Sequence, residues 1–308
     1  MKRIPVAAAL AAATALLAAT LVPSAAATPQ GTAAAVCSLS VGSVTAGGDL
    51  RVQHIAATSP PSVTSTWDGP KGLYQDEDWR LFGSVATEEA VAAGQHRRGL
   101  VTNDTSLYSY YYRTDGSYQV LEPGSYEQTK IGGGWTRGMT YFDSSLYYNT
   151  GGTVTRSNVY ALWDGVLWRW SAGWKVKLFP GFGAVKTMTL ISTTATYETF
   201  LANLTGGSLY TIRIPIASNA VPVVKPVRTR TWQGFETLIA EKCGSQSTLL
   251  LGIDKDTNSG YLYAVSHANG TATVIKGLGK VTGADFTGVA HARVFVNTLD
   301  SSGNLNGD

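Results

Sequence analysis

The sequence predicts an all-β chain, a five-bladed β-propeller of four-stranded antiparallel blades, and three observations carry that expectation. The composition is that of short strands and tight turns, with 34 Gly, 15 Tyr and 8 Trp in 308 residues and only 15% charged residues. Two different residue patterns recur at a common period near fifty residues. Beyond the N-terminal segment no 3.6-residue apolar period supports a helix, which excludes a helical solenoid.

The chain begins with a basic pair, Lys2 and Arg3, followed from Val6 to Val22 by an almost unbroken run of Ala, Leu, Val and Thr, then by the small residues Ala25, Ala26 and Ala27. That order is the pattern of a secretory signal peptide over residues 1–27, with a disordered stub over 28–36 and the propeller over 37–308. No later stretch reaches the length of apolar sequence a spanning helix needs, so the mature form is expected to be secreted, without a membrane span. Removing Lys2 and Arg3 takes the formal charge from +3 to +1. A near-neutral chain lacks the basic footprint that phosphate backbones require, so nucleic acid is not an expected partner.

The first repeated pattern is a strand that opens on a turn residue. Its copies start at Asp49, Ser106, Asn158, Ser208 and Tyr261, about 50 to 57 residues apart. The second is an aromatic that opens a new unit, at Phe82, Trp135, Phe182, Trp232 and Phe286. Each unit has room for four strands. In the unit opened by Trp135 these are expected at Gly138–Phe142, Ser145–Asn149, Ser157–Trp163 and Val166–Ser171. In the unit opened by Trp232 they are expected at Phe235–Lys242, Thr248–Ile253, Tyr261–Ser266 and Thr271–Lys276, with Asp143-Ser-Ser, Asp164-Gly and Asp256-Thr-Asn-Ser-Gly260 as turns. The last unit stops at Asp308, too early for four strands, so it is completed by the segment before Phe82 and the ring closes at five. The hairpin-like stretch Asp300–Leu305 leaves six blades open.

Cys37 and Cys243 are the only cysteines, and an even pair in a secreted chain reads as one disulfide, here placed at the seam of the ring. Two cysteines and four scattered histidines give no zinc spacing, and Asp254–Gly260 lacks the terminal Glu of a calcium-binding EF-hand loop, so no metal and no cofactor is expected.

The stretch Thr129-Lys-Ile-Gly-Gly-Gly-Trp-Thr-Arg-Gly-Met-Thr-Tyr-Phe-Asp143 resembles the inter-blade segment of the tachylectin-like lectins. Ser259-Gly-Tyr-Leu-Tyr-Ala-Val-Ser266 resembles an inner motif of the same family, and Asp76-Glu-Asp-Trp-Arg-Leu-Phe-Gly83 is more loosely similar to another. The Phe182 and Phe286 boundaries lack the Trp of that pattern. The resemblance implies binding of N-acetylated hexosamines or related glycans in shallow pockets between blades.

Sugar recognition needs a flat aromatic face against the C–H side of a pyranose and fixed polar groups for its hydroxyls or acetamide. The candidate carbohydrate-binding residues are therefore Asp76, Asp78, Trp79, Gly133, Trp135, Trp174 and Trp232, with the backbone N–H groups of 132–134 as donors. Each boundary Trp has a competing role in packing one blade on the next. The cluster Trp163, Trp168, Trp170 and Trp174 either packs between blades or forms an aromatic patch for a protein partner in a secreted assembly. An enzyme would need paired carboxylates at the ring axis, where Glu88, Glu89, Asp143, Glu236 and Glu241 are the candidates. Nothing pairs them, and neither a Gly-x-Ser-x-Gly elbow nor a His-Glu-x-x-His motif is present, so a non-catalytic lectin is the leading expectation.

Overall fold

The structure is a computed structural model that describes residues 36–74, 79–88, 95–103, 105–117, 119, 122–135, 138–219, 221–296 and 301–308. The expected signal peptide and nearly all of the expected stub lie outside the described residues.

Strands β1 (Ser38–Val44), β2 (Leu50–Ala56) and β3 (Ser62–Asp68) open the fold. Blade 2 follows with β4 (Trp79–Phe82) and β5 (Val85–Glu88), which share β6 (Gln95–Asn103) as a partner and make one interrupted inner strand, then β7 (Ser106–Thr114) and β8 (Glu127–Gly133). Blade 3 is β9 (Met139–Tyr148), β10 (Val154–Trp163), β11 (Val166–Ser171) and β12 (Lys175–Pro180). Blade 4 is β13 (Val185–Thr193), β14 (Tyr197–Leu204), β15 (Leu209–Pro215) and β16 (Val223–Arg228). Blade 5 is β17 (Thr237–Cys243), β18 (Ser247–Asp254), β19 (Ser259–Val265) and β20 (Ile275–Lys280). Finally β21 (Ala290–Val296) pairs antiparallel with β1 and becomes the inner strand of blade 1.

The fold is thus an all-β propeller of five four-stranded blades, with the composite blade built from both ends of the described chain. Its inner strands adjoin in the order β21, β4 and β5, β9, β13, β17 and back to β21. The five buried apolar clusters correspond to the five blade interfaces. The last of them closes the ring, joining Leu39, Val41 and Ile55 of blade 1 to Leu249, Leu251 and Ile253 of blade 5. Their neighbour Leu250 points the other way, into the cluster shared with blade 4. A blade is buried on both faces, which is why β18 reads as a continuous Leu run instead of an alternation.

The unit-opening aromatics Trp135, Phe182, Trp232 and Phe286 are all buried just ahead of an inner strand. Three of them donate their backbone N–H to the turn between the second and third strands of the preceding blade. The bonds are Trp135 to Thr105 O (2.9 Å), Phe182 to Gly165 O (2.8 Å) and Trp232 to Gly207 O (3.1 Å). The fifty-residue marker therefore fastens each blade to the one before it. Cys37 and Cys243 form a disulfide with Cα atoms 5.5 Å apart, joining the start of β1 to the end of β17 across the seam between blades 1 and 5.

Three local expectations are corrected. Asp143-Ser-Ser is not a turn, because β9 runs unbroken through it. The Asp143 carboxylate accepts the backbone N–H groups of Ser84 (2.9 Å) and Ser144 (2.8 Å), so a turn-forming residue is held inside a strand. The fourth strand of blade 3 is consequently β12, and that of blade 5 is displaced to β20 by a 3₁₀ turn at Gly270–Ala272. The stretch near Leu305 starts no sixth blade. After a 3₁₀ turn at Ser301–Gly303 the chain lies along β13, with Thr193 N–H donating to Leu305 O and Gly307 N–H to Ile191 O, both 2.9 Å. Asp308 ends it in a bidentate pair with Arg213 (3.0 and 2.7 Å). Among the described residues no helix is long and apolar enough to cross a membrane, and no group of three or more His, Cys, Asp or Glu side chains is placed to hold a metal ion.

Candidate functional site

Blades 2 and 3 meet over a small buried cluster of Leu107, Trp135, Phe142 and Ala161. Beside it, at the end of the ring where the inner strands begin, lies a cleft of about 310 Å³. One wall is the tip of β8, Ile131 to Gly134, and the other is the aromatic face of blade 3. Strand periodicity and register build that face. Trp168 and Trp170 lie on one side of β11, and Trp163 on β10 sits diagonally across from Trp168. The rings stack in series, Trp163 on Trp168 (5.7 Å), Trp168 on Trp170 (5.6 Å) and Trp170 on Trp135 (4.8 Å).

The glycines are what keep the opposite wall open. A Cβ built at Gly132 or Gly134 would meet no atom within 4 Å, so any side chain there would project into free space and fill the cleft. β8 is the outer strand of blade 2, and among the described residues no strand pairs with it on the side away from β7.

Trp174 forms the rim. It is 46% exposed and has φ +58°, directly after Gly173 at φ +72°. A bulky residue in the left-handed region costs roughly 1–2 kcal/mol, so the turn spends conformational energy to place an exposed indole beside the cleft. The described walls carry no ionisable side chain, and the Trp168 indole N–H is buried without a partner.

The structure thus brings Gly133, Trp135 and Trp174 together with Trp163, Trp168 and Trp170. It does not bring Trp232 there. Trp232 occupies the corresponding place between blades 4 and 5, 5% exposed, against Tyr263 (4.8 Å) and Phe235 (5.6 Å). Trp135 and Trp232 each pack on the third strand of the blade they open, and only blade 3 continues that contact into a row of tryptophans. Asp76 and Asp78 lie outside the described residues, and Trp79 is described only as the first residue of β4.

The ring axis holds a second cavity, about 140 Å³, walled by all five inner strands. Asp143 and Glu236 face it, but both are engaged. Glu236 pairs with Lys186 and accepts the Lys255 backbone N–H (2.9 Å). Burial raises the Asp143 carboxyl above its ordinary range, and the Ser84 and Ser144 amides pull it partly back. Glu241 is held by Arg293 in a bidentate pair, 2.8 Å at both contacts. Glu88 has no described side chain and Glu89 lies outside the described residues.

His291, 8% exposed with both ring nitrogens unpartnered, is pushed down to about 4 by burial and, secondarily, by the Lys255 cation. Between its unfolded value of 6.5 and about 4, the unfolded chain binds a proton that the native chain refuses. Stability is therefore expected to fall as pH drops through that window, by up to about 3 kcal/mol from this group. Asp143, raised in the folded state, acts in the opposite sense. Denaturant midpoints at neutral and at acid pH check this, with His291→Gln expected to lose less stability than the parent chain. An equal loss in both would remove His291 as the cause.

No family model matches the chain, and no curated protein matches it. Among solved structures it is similar to one described as the crystal structure of a fungal lectin from Aleuria aurantia, with a six-bladed β-propeller fold and a novel fucose recognition mode. The TM-score is 0.47 and the identity 13%, over 79% of this chain and 78% of that one. In this chain three blades are separate four-stranded sheets, and blades 1 and 2 are joined into one nine-stranded sheet by the parallel pairing of β21 with β5.

Proposed function

We propose that the chain is a secreted, non-catalytic carbohydrate-binding protein that takes a neutral sugar, with N-acetylated hexosamines as the first candidates, in the aromatic cleft between blades 2 and 3. The observation that carries this reading is the strained, exposed Trp174 beside a glycine-walled cleft whose described walls carry no ionisable side chain. An indole face suits the apolar side of a pyranose, the edge-strand backbone at 132–134 suits an acetamide or hydroxyls, and described walls without an ionisable side chain suit an uncharged ligand. The resemblance of Thr129–Asp143 to tachylectin-like segments points the same way. The Cys37–Cys243 bridge and the signal-like N-terminus support an oxidising, extracellular setting. Asp76, Asp78 and Trp79, at the start of blade 2, are proposed as equivalent positions of another pocket, while Trp232 is packed between blades 4 and 5.

Titration of the folded chain with N-acetylglucosamine and its oligomers, followed by tryptophan fluorescence and calorimetry, tests this. Trp174→Gly is expected to weaken binding by about tenfold or more, as loss of an anchoring indole does. Because glycine accepts positive φ, the same variant is expected to be no less stable than the parent. Unchanged affinity in the variant, or silence of the parent towards every hexosamine, would sink the reading.

A second reading, recognition of a protein partner, has one observation in its favour. Val176 and Leu178 on β12 are exposed and stand cross-strand from Trp170 and Trp168, extending the apolar face beyond the cleft.

A further inference from the structure

Between blades 3 and 4, at the end of the ring where the inner strands finish, lies an open groove of about 600 Å³ walled in part by Thr155, Arg156, Asn158, Arg169 and Ser171. It opens on the other face of blade 3 from the aromatic cleft, and the turn Ala172–Trp174 touches both, with Ala172 in the groove and Trp174 in the cleft. Its charge is unbalanced. Arg156 is answered by Glu198 at 3.1 Å, and its remaining donors go to Thr194 O (2.7 Å) and Ala195 O (3.4 Å).

Arg169 has no such answer. It is 4% exposed, donates Nη1 to Pro215 O (2.9 Å), lies beside the Tyr160 hydroxyl and packs on Phe179. Its Nε has no partner, and among the described residues no carboxylate forms an ion pair with it. Strand register places Lys175 opposite Ser171 on the same face, next to the groove's own lining, whereas Lys177, opposite Arg169, is engaged, donating to Ser218 O and lying over Phe179. Next to the guanidinium, Asn158 donates its amide to Glu198 (2.9 Å) while its Oδ1 stays buried and unpartnered.

We infer that this groove binds an acidic sugar, a uronate unit, with the carboxylate at Arg169 and a ring hydroxyl donating to Asn158 Oδ1. Glu198 is already engaged by Arg156, so among the described residues Arg169 is left without a carboxylate, and a buried guanidinium is the donor best matched to one. A bare anion fails the second requirement, because Asn158 Oδ1 needs a hydrogen-bond donor. A sugar hydroxyl supplies it, and the hydroxyls of Thr155 and Ser171 can meet the others. An open groove of this size admits a sugar unit within a longer chain. The inference concerns a different interface from the proposed neutral-sugar cleft and goes beyond it.

Calorimetric titration of the full chain with D-glucuronate, with D-glucose as the neutral analogue and with inorganic phosphate as an ion-only probe, tests it. Glucuronate is expected to bind on the order of tenfold more tightly than either comparison probe, and less tightly as salt is raised. Arg169→Gln is expected to reduce glucuronate affinity by on the order of tenfold. Lys175→Glu, at an exposed site that leaves folding intact, is expected to reduce it several-fold. Equal binding of glucuronate and glucose, or of glucuronate and phosphate, would overturn the inference. So would unchanged glucuronate affinity in Lys175→Glu, which decides the matter if Arg169→Gln does not fold.

Discussion

Replacing Glu198 by alanine is expected to destabilise the chain by about 3–5 kcal/mol, the cost of breaking a buried ionic network by removing one partner. Glu198 is fully buried at the start of β14, in blade 4, and every donor to its carboxylate comes from blade 3. Ser145 and Tyr160 donate their hydroxyls, Asn158 its amide at 2.9 Å and Arg156 its Nε at 3.1 Å. Alanine would leave the Arg156 guanidinium without its counter-charge, and the Tyr160 phenol, the Asn158 amide and the Ser145 hydroxyl without an acceptor at a buried interface. Glu198→Gln keeps the shape and one acceptor oxygen but turns an N–H₂ towards groups that are themselves donors, so it should fall between alanine and the parent. Urea unfolding of the three proteins measures the series. A loss below 1 kcal/mol for alanine would mean the interface relaxes around the gap and that the network does not hold blade 3 to blade 4.

The second large effect is expected at the seam. The Cys37–Cys243 bridge closes a sequence separation of 206 residues, so it removes far more freedom from the unfolded chain than a local crosslink does. For a loop of this length the chain-entropy relation gives about 5 kcal/mol. A Cys37→Ser, Cys243→Ser double variant is therefore expected to lose several kcal/mol, up to that value. Its site of weakness is also specified. Blade 1 is held to blade 5 by the bridge and by the apolar contact of Leu39, Val41 and Ile55 with Leu249, Leu251 and Ile253. It is held to itself by the β1–β21 ladder. Hydrogen exchange in the variant should rise first along β1 and β17, ahead of β13 and β14. If reduction of the parent chain leaves its unfolding midpoint in place, the ladder and the apolar contact alone close the ring.

The fold was legible because its strongest signals are local and repeated. A buried aromatic precedes the inner strand at Trp135, Phe182, Trp232 and Phe286, whereas the marker at Phe82 falls at the end of β4 instead of ahead of it. The errors fell where one side chain overrules local preference. Asp143 belongs to a turn by residue type, yet two backbone amides stabilise it inside β9, and one of them comes from blade 2. Half of the candidate cleft was legible in the same way, since Gly133, Trp135 and Trp174 stand in or beside a recognisable Gly-Trp segment and a Trp-rich strand. Glu198 and Arg169 were not. Their partners are 38 to 53 residues away along the chain, in the adjacent blade, and no spacing rule connects them.

By itself the sequence determined the class of fold and the pairing of its two cysteines. These depend on backbone geometry and on residue types repeated at fixed intervals. The tertiary structure alone decided which repeated tryptophans meet in an open cleft and which, like Trp232, are packed away. It also decided where charge is matched and where it is left over. Those outcomes depend on which faces of neighbouring blades come into contact, and a blade's face is read from its own sequence only as apolar or polar, not by what stands opposite it.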